Sequence, residues 1–194
     1  MPNEAVIYRQ AKPKDYPALL NIASAYYRDN LNFDKSQGFL SSRFTEEIFS
    51  TINQQLGLLV ADKNEQLLGF LGILPYSDKL PSPVINALFK VLPTVKYRNK
   101  SIAALKPFFF GPICISAQAT GMGIFKGLYR AMWAFLPYDK YQCGIAFISK
   151  DNPRSLDIHI KGLGAETIGE FSLEDEQFWI IAYSRESARN IAQD

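Results

Sequence analysis

The sequence is poor in the residues that build metal sites and disulfide frameworks: among 194 residues there is one histidine, His159, and only two cysteines, Cys114 and Cys143. One imidazole and two distant thiols cannot supply the usual four ligands of a zinc site, so no metal is expected. The cysteines have no C-x-x-C spacing and read as buried, reduced thiols. Long apolar runs are also missing. The greasiest stretch, Ile102 to Ile115, is broken by Lys106 and two prolines and falls short of the roughly 20 residues of a membrane-spanning helix. Met1-Pro2-Asn3-Glu4 has neither the basic patch nor the apolar core of a secretory leader, so the expectation is a cytoplasmic protein with no membrane span.

Acidic residues are absent over a long stretch. Eight lysines and arginines lie between Lys79 and Arg130, and no Asp or Glu occurs there or before Asp139, although the net charge is only +2. Such a block suits a phosphorylated cofactor, an anionic lipid surface or nucleic acid, or is simply a solvated basic face. Without a dense Lys/Arg cluster or zinc-finger spacing, nucleic acid is not the expected partner.

With 47% hydrophobic and 21% charged residues, the chain has the balance of one soluble globular domain over 1–194. Periodicity predicts a strand at Val6–Gln10, helices over Lys12–Tyr27 and about Gln37–Gln55, and an apolar hairpin, Gly57–Ala61 and Leu67–Leu74, around a polar turn. A strand at Phe108–Ile115, a helix from Gly123 to about Leu136 and a strand at Gln142–Ile148 follow. Another helix opens at Asn152-Pro153, and two strands near Glu166–Phe171 and Phe178–Tyr183 close the order. The result is a mixed α/β fold, with parallel pairing expected where a helix connects strands and antiparallel pairing at the hairpins.

Residues 79–107 form an insertion too long for a hairpin loop. Ser82-Pro83 is a helix start, with Ser as cap, and Val84 to Leu92 is apolar on most of its circumference before Pro93. That helix must bury somewhere. A lid over a cleft, a homodimer contact and an extra piece of core are the three alternatives.

The most informative segment runs Ile113-Cys114-Ile115-Ser116-Ala117-Gln118-Ala119-Thr120-Gly121-Met122-Gly123-Ile124-Phe125, a buried strand passing through a small-residue turn into a helix. The first-turn N–H groups of a helix have no intrahelical partner, and glycine lets a ligand approach the chain. A diphosphate suits that turn, and the helix dipole adds to the attraction. A tight turn with no ligand would also explain the glycine pair.

These residues, with the order of elements across nearly the whole chain, resemble the GNAT family of acyl-CoA N-acyltransferases. The family fingerprint is Gln/Arg-x-x-Gly-x-Gly/Ala, and two registers compete: Gln118 to Gly123 matches the letters, whereas Thr120 to Phe125 keeps the family's distance from strand to turn. The second is preferred. In it Thr120 stands for the Arg or Gln and Phe125 for the small residue, with Lys126 close enough in sequence to assist. The resemblance implies a central mixed, mostly antiparallel sheet flanked by helices. It also implies acetyl-CoA, or another acyl-CoA, held by Ile113, Cys114, Ile115, Thr120, Gly121, Met122, Gly123, Ile124 and Phe125.

A second signature, Asn152-Pro153-Arg154-Ser155-Leu156-Asp157-Ile158-His159, is similar to the family's Asn-x6-Tyr pattern. Residues seven apart return to one helical face. The resemblance implies that Asn152 and Ser155 contact the pantetheine arm. It places His159, where the family has Tyr, as the acid that protonates the departing thiolate. Simple capping by Asn152 and a structural hydrogen bond from His159 are the alternatives. The implied chemistry is direct attack of an amine on the thioester in a ternary complex, with a backbone N–H near Ile115 polarising the carbonyl. Tyr26, Tyr27, Glu46, Glu47 and ordered water are open as the base. The acceptor amine, on a small molecule or a protein, carries no readable signature, and a non-catalytic acyl-CoA sensor is the alternative function.

Overall fold

The computed structural model describes residues 5–27, 39–40, 42–79 and 82–191. Its main sheet has seven strands in the order β1-β2-β3-β6-β7-β9-β8: β1 (Ile7–Gln10), β2 (Gly57–Lys63), β3 (Gln66–Pro75), β6 (Pro107–Ile115), β7 (Cys143–Ser149), β8 (Glu166–Leu173) and β9 (Glu176–Ser184). The β1–β2, β2–β3, β7–β9 and β8–β9 pairs are antiparallel, and β6 runs parallel to β7 over Pro107–Phe109. Helices α1 (Tyr16–Ser24), α2 (Glu46–Gln55), α3 (Pro83–Val91), α4 (Ile124–Phe135), α5 (Pro153–Leu163) and α6 (Arg185–Ile191) flank the strands. A separate small hairpin pairs β4 (Lys96–Tyr97) with β5 (Lys100–Ser101). The chain divides into two compact units, Met1–Leu74 with Phe110–Phe135, and Pro75–Phe109 with Leu136–Asp194.

The first unit is organised around Phe49 of α2, which is fully buried, set edge-on to Phe70 of β3 at 5.2 Å and stacked with Phe44 at 5.4 Å. Offset and edge contacts of this kind suit the ring quadrupole. Leu19 and Ala23 of α1 and Leu58 and Val60 of β2 fill the same core. On its rim, Arg9 of β1 donates to Asp15 at 2.7 Å and to Asp62 of β2 at 2.8 Å, tying the start of α1 to two strands. Burial alone would raise the Asp15 carboxyl, but Arg9 and the Lys12 N–H hold it below its ordinary value. The hairpin turn between β2 and β3 is Asn64-Glu65, both at positive φ, which matches the twist of the strands it joins.

Helix α2 starts later than its pattern predicts. Residues 37, 38 and 41 lie outside the described residues, and residues 39–40 and 42–45 are not helical. Thr45 is the cap, its hydroxyl accepting the Ile48 N–H at 3.2 Å, while the Leu40 N–H goes to the Tyr26 carbonyl at 2.9 Å. Apolar residues in an extended approach to a helix mimic the helix's own periodicity.

In the second unit, Phe147, Phe171 and Phe178 of β7, β8 and β9 make a cluster of edge and stacked contacts. Helix α3 lies against β8, with Ile85 and Leu88 buried, so its apolar face is part of the core of this unit. Ser82 caps it through the Ile85 N–H. Tyr76, Phe89 and Phe109 pack ring to ring at 4.9–5.6 Å beside it. Tyr97, also in the insertion, is a core residue at 2% exposure, its hydroxyl 3.5 Å from that of Ser187.

Candidate functional site

The end of β6 is pinned before the chain turns. The Tyr26 hydroxyl donates to the Ile115 carbonyl at 2.5 Å, and the Ser116 N–H donates to the Leu68 carbonyl of β3 at 2.8 Å. A 3₁₀ turn at Ala117–Ala119 follows, then Thr120 to Gly123, all exposed, and α4 begins at Ile124. Gly121 and Gly123 stand at φ +80° and +73°, in the left-handed region open to glycine and strained for a branched side chain. No atom lies within 4 Å of where a Cβ would stand on either, so the glycines answer to backbone conformation and not to packing. The turn therefore presents uncovered main chain to solvent, directly ahead of first-turn donors that a helix cannot satisfy itself.

Of the residues expected to hold a cofactor, Thr120, Gly121, Met122 and Gly123 lie on this exposed turn, Ile124 is buried beneath it, and Phe125 is half-buried with its ring 4.9 Å from Tyr129. Ile113 and Ile115 are half-buried in β6. Cys114 between them is buried, and burial pushes its thiol well above the ordinary cysteine range, which leaves it a packing residue and not a nucleophile. Burial likewise pushes Cys143 up to about 12. Both registers of the fingerprint contain Gly121 and Gly123; Gln118 of the other register is exposed and accepts a hydrogen bond from Gln66 at 3.1 Å.

Asn152, Ser155 and His159 belong to the other unit, at the junction of β7 with α5. Asn152 is buried, and its Oδ1 accepts the Ser155 N–H at 3.2 Å while its own N–H donates to Ser149 at 2.9 Å. Here the helix N-terminus is closed by a side chain. The seven-residue spacing does bring His159 to the buried face of α5. Its Nδ1–H donates to the Ser155 carbonyl at 2.7 Å, and it is 4% exposed. Burial lowers its pKa from 6.5 to about 4, only partly opposed by that bond. A neutral ring of this tautomer carries its proton on Nδ1, bonded within the helix, which favours the structural reading of His159 over the proton-donating one. Gly164, at φ +65°, ends α5 by donating its N–H to Ile160 at 3.0 Å.

Of the candidate bases, Tyr26 is engaged with Ile115, and the Tyr27 hydroxyl accepts the Phe44 N–H at 2.9 Å with Arg43 over its ring at 4.9 Å. Glu46 and Glu47 are exposed in the first turn of α2. Among the described residues no group of three His, Cys, Asp or Glu could hold a metal ion, and no helix is long and apolar enough to cross a membrane.

An α/β sheet that delivers one strand through an open glycine turn into a helix defines a class of mixed α/β fold. Comparison with solved structures makes it particular: the chain has the GNAT N-acyltransferase fold. An N-acetyltransferase from Staphylococcus aureus Mu50 superposes with a TM-score of 0.60 at 18% identity, covering 93% of this chain and 99% of that one. A ribosomal-protein-alanine N-acetyltransferase from Brucella melitensis gives 0.59 at 18% identity over 92% and 99%. A GNAT superfamily phosphinothricin acetyltransferase from Sinorhizobium meliloti, solved in complex with AcCoA, gives 0.60 at 18% identity over 93% and 89%. No protein-family model and no curated protein matches the chain in sequence.

Proposed function

We propose that this chain is an acyl-CoA-dependent N-acyltransferase that passes an acetyl group to an amine by direct attack in a ternary complex. The observation that carries this reading is the uncovered turn from Thr120 to Gly123 on a GNAT fold, with two glycines held at positive φ and open space above both. In this reading the diphosphate of acetyl-CoA lies against Thr120 to Phe125, at the positive end of α4. Ile113 to Ile115 flank the thioester end. Holding thioester and amine together supplies much of the rate. The amine attacks the carbonyl carbon, the oxygen charge is met by main-chain N–H donors, and the thiolate leaves and is protonated. Water is assigned the proton transfers to and from the reacting atoms, since His159 is buried and bonded within its own helix. Cytoplasmic location goes with this chemistry.

A second reading, an acyl-CoA sensor without turnover, is favoured by two facts: Thr120 stands where the fingerprint has Arg or Gln, and the residue at the acid position is a neutral buried imidazole. A thiol-release screen of acetyl-CoA and longer acyl-CoAs against a broad panel of amines separates the two. Amine-dependent release of CoA is the expected result; tight binding with no release for any acceptor supports the sensor and overturns the transferase.

A further inference from the structure

Sulfur is scarce in this chain and most of it is enclosed. There are three methionines and two cysteines. Met1 lies outside the described residues; of the other four, Met122 is 46% exposed, Met132 of α4 is at 0%, and Cys114 and Cys143 are buried. Burial also raises both thiols, and the thiolate is the form an oxidant attacks, so neither cysteine competes for an oxidant in solvent. Met122 is therefore the one exposed sulfur among the described residues. Its place in the chain matters as much as its exposure. It stands between Gly121 and Gly123, both at positive φ, and α4 begins two residues later at Ile124. Its own N–H donates to the Ala119 carbonyl at 3.2 Å. The side chain lines, with Leu68 and Gln118, a cavity of about 300 Å³ wholly within the first unit. There the Gln66 amide donates to the Gln118 Oε1 at 3.1 Å, which leaves the Gln118 amide group as a donor.

We propose that Met122 is a reversible oxidation site through which a peroxide lowers the affinity of the chain for acyl-CoA. The effect on the cofactor rests on the reading of the glycine turn as the diphosphate site. The thioether sulfur attacks one oxygen of the peroxide, the O–O bond breaks as the S–O bond forms, and the proton of the transferred oxygen passes to the departing one, which leaves as water or an alcohol. Sulfur is oxidised by two electrons and the peroxide is reduced by two, so no further reactant is needed. A flexible apolar side chain becomes a polar one with a strongly accepting oxygen. Donors for that oxygen are at hand: the first-turn N–H groups of α4 have no partner within the helix, and the Gln118 amide lines the same cavity. The sulfoxide competes with phosphate oxygens for them, and its negative end repels an anion. Reduction of the sulfoxide restores the thioether.

The test treats the full chain with dilute hydrogen peroxide, maps the oxidised residues by peptide mass spectrometry, and titrates acetyl-CoA calorimetrically before and after. Sulfoxide is expected at Met122 while Met132 stays unmodified, with acetyl-CoA affinity falling about tenfold, the worth of one hydrogen bond lost to a competing acceptor. Methionine sulfoxide reductases for both sulfur epimers should return the affinity to its starting value. In Met122→Leu, whatever its starting affinity, the ratio of affinities before and after peroxide should be one. Full conversion of Met122 with unchanged affinity overturns the proposal, as does oxidation of Met132 or of either cysteine at the same rate. A peroxide-dependent loss that persists in Met122→Leu, or that survives the reductases, also overturns it. Untreated protein that binds no acetyl-CoA overturns the diphosphate reading and this proposal with it, a result visible before any oxidant is added.

Discussion

Two strand-to-helix junctions of this molecule share a plan and differ in their covering. After β6 the chain crosses an exposed turn whose glycines sit at positive φ with no atom within 4 Å of where a Cβ would stand, and α4 follows at Ile124. After β7 the chain closes on itself: Asn152 is buried, caps α5 through the Ser155 N–H, and is followed about two turns later by the buried ring of His159. A side-chain cap closes a helix N-terminus to a ligand, and Asn152 does this at the second junction, whereas the first reaches its helix through exposed glycines.

The largest expected effect belongs to the closed junction and concerns pH. The unfolded chain protonates His159 near 6.5 and the folded chain near 4, so above 6.5 the full stability is present. As pH falls from 6.5 to 4 the unfolded state binds more protons and stability declines, by about 3 kcal/mol in all. Denaturant midpoints measured from pH 7 to pH 4 should fall more steeply in the wild type than in His159→Gln. A wild type that keeps or gains stability relative to the variant in that window would mean a charged, partnered imidazole and would restore the acid role.

Next comes Gly123→Val at the open junction. The new side chain meets no neighbour but is forced into the left-handed region, so it shifts the turn and fills the space offered to the phosphates. Acetyl-CoA affinity should drop about thirtyfold, the worth of roughly one charge-assisted hydrogen bond, in a calorimetric titration of protein that remains folded. Unchanged affinity would remove the turn from the site.

Gly127, one turn into α4, sharpens the contrast because it is a packing glycine. A Cβ there would collide with the Tyr8 hydroxyl and the ring carbon that bears it. Gly127→Ala should cost about 2 kcal/mol of stability through overpacking, with Tyr8→Ala in the same chain recovering part of it in a double-mutant cycle. Cofactor affinity should hardly move. The smallest effect is that of Asn152→Ala, about 1 kcal/mol of stability from the lost cap, read from the melting temperature. An Asn152→Ala variant that loses as much acetyl-CoA affinity as Gly123→Val would break the comparison.

Much of this was legible in the chain. The polar run Asp62 to Gln66 between two apolar strands marked the β2–β3 hairpin, Ser82-Pro83 marked α3, and Asn152-Pro153 marked α5, because caps and turns are written in local chemistry. Thr45 was missed as a cap because apolar residues ahead of it carried the helical pattern backward. Helix α6 was missed because it follows β9 with no intervening loop; its signal was Ser184, whose hydroxyl accepts the Ser187 N–H at 3.1 Å. At the site, the glycine turn could be read from spacing, but burial could not. Only the fold shows that His159 is enclosed, that Tyr97 of the insertion is core, and that Lys63 and Gln118, 55 residues apart in sequence, line one cavity.

The central claim is that the folded chain binds acetyl-CoA, and thermal unfolding of the wild type with and without it tests this most directly. At about a hundred times its dissociation constant the ligand should add roughly 2.7 kcal/mol, seen as a melting temperature that climbs with acetyl-CoA concentration. A melting temperature that stays flat up to millimolar acetyl-CoA, in protein shown to carry no co-purified cofactor, would contradict the account.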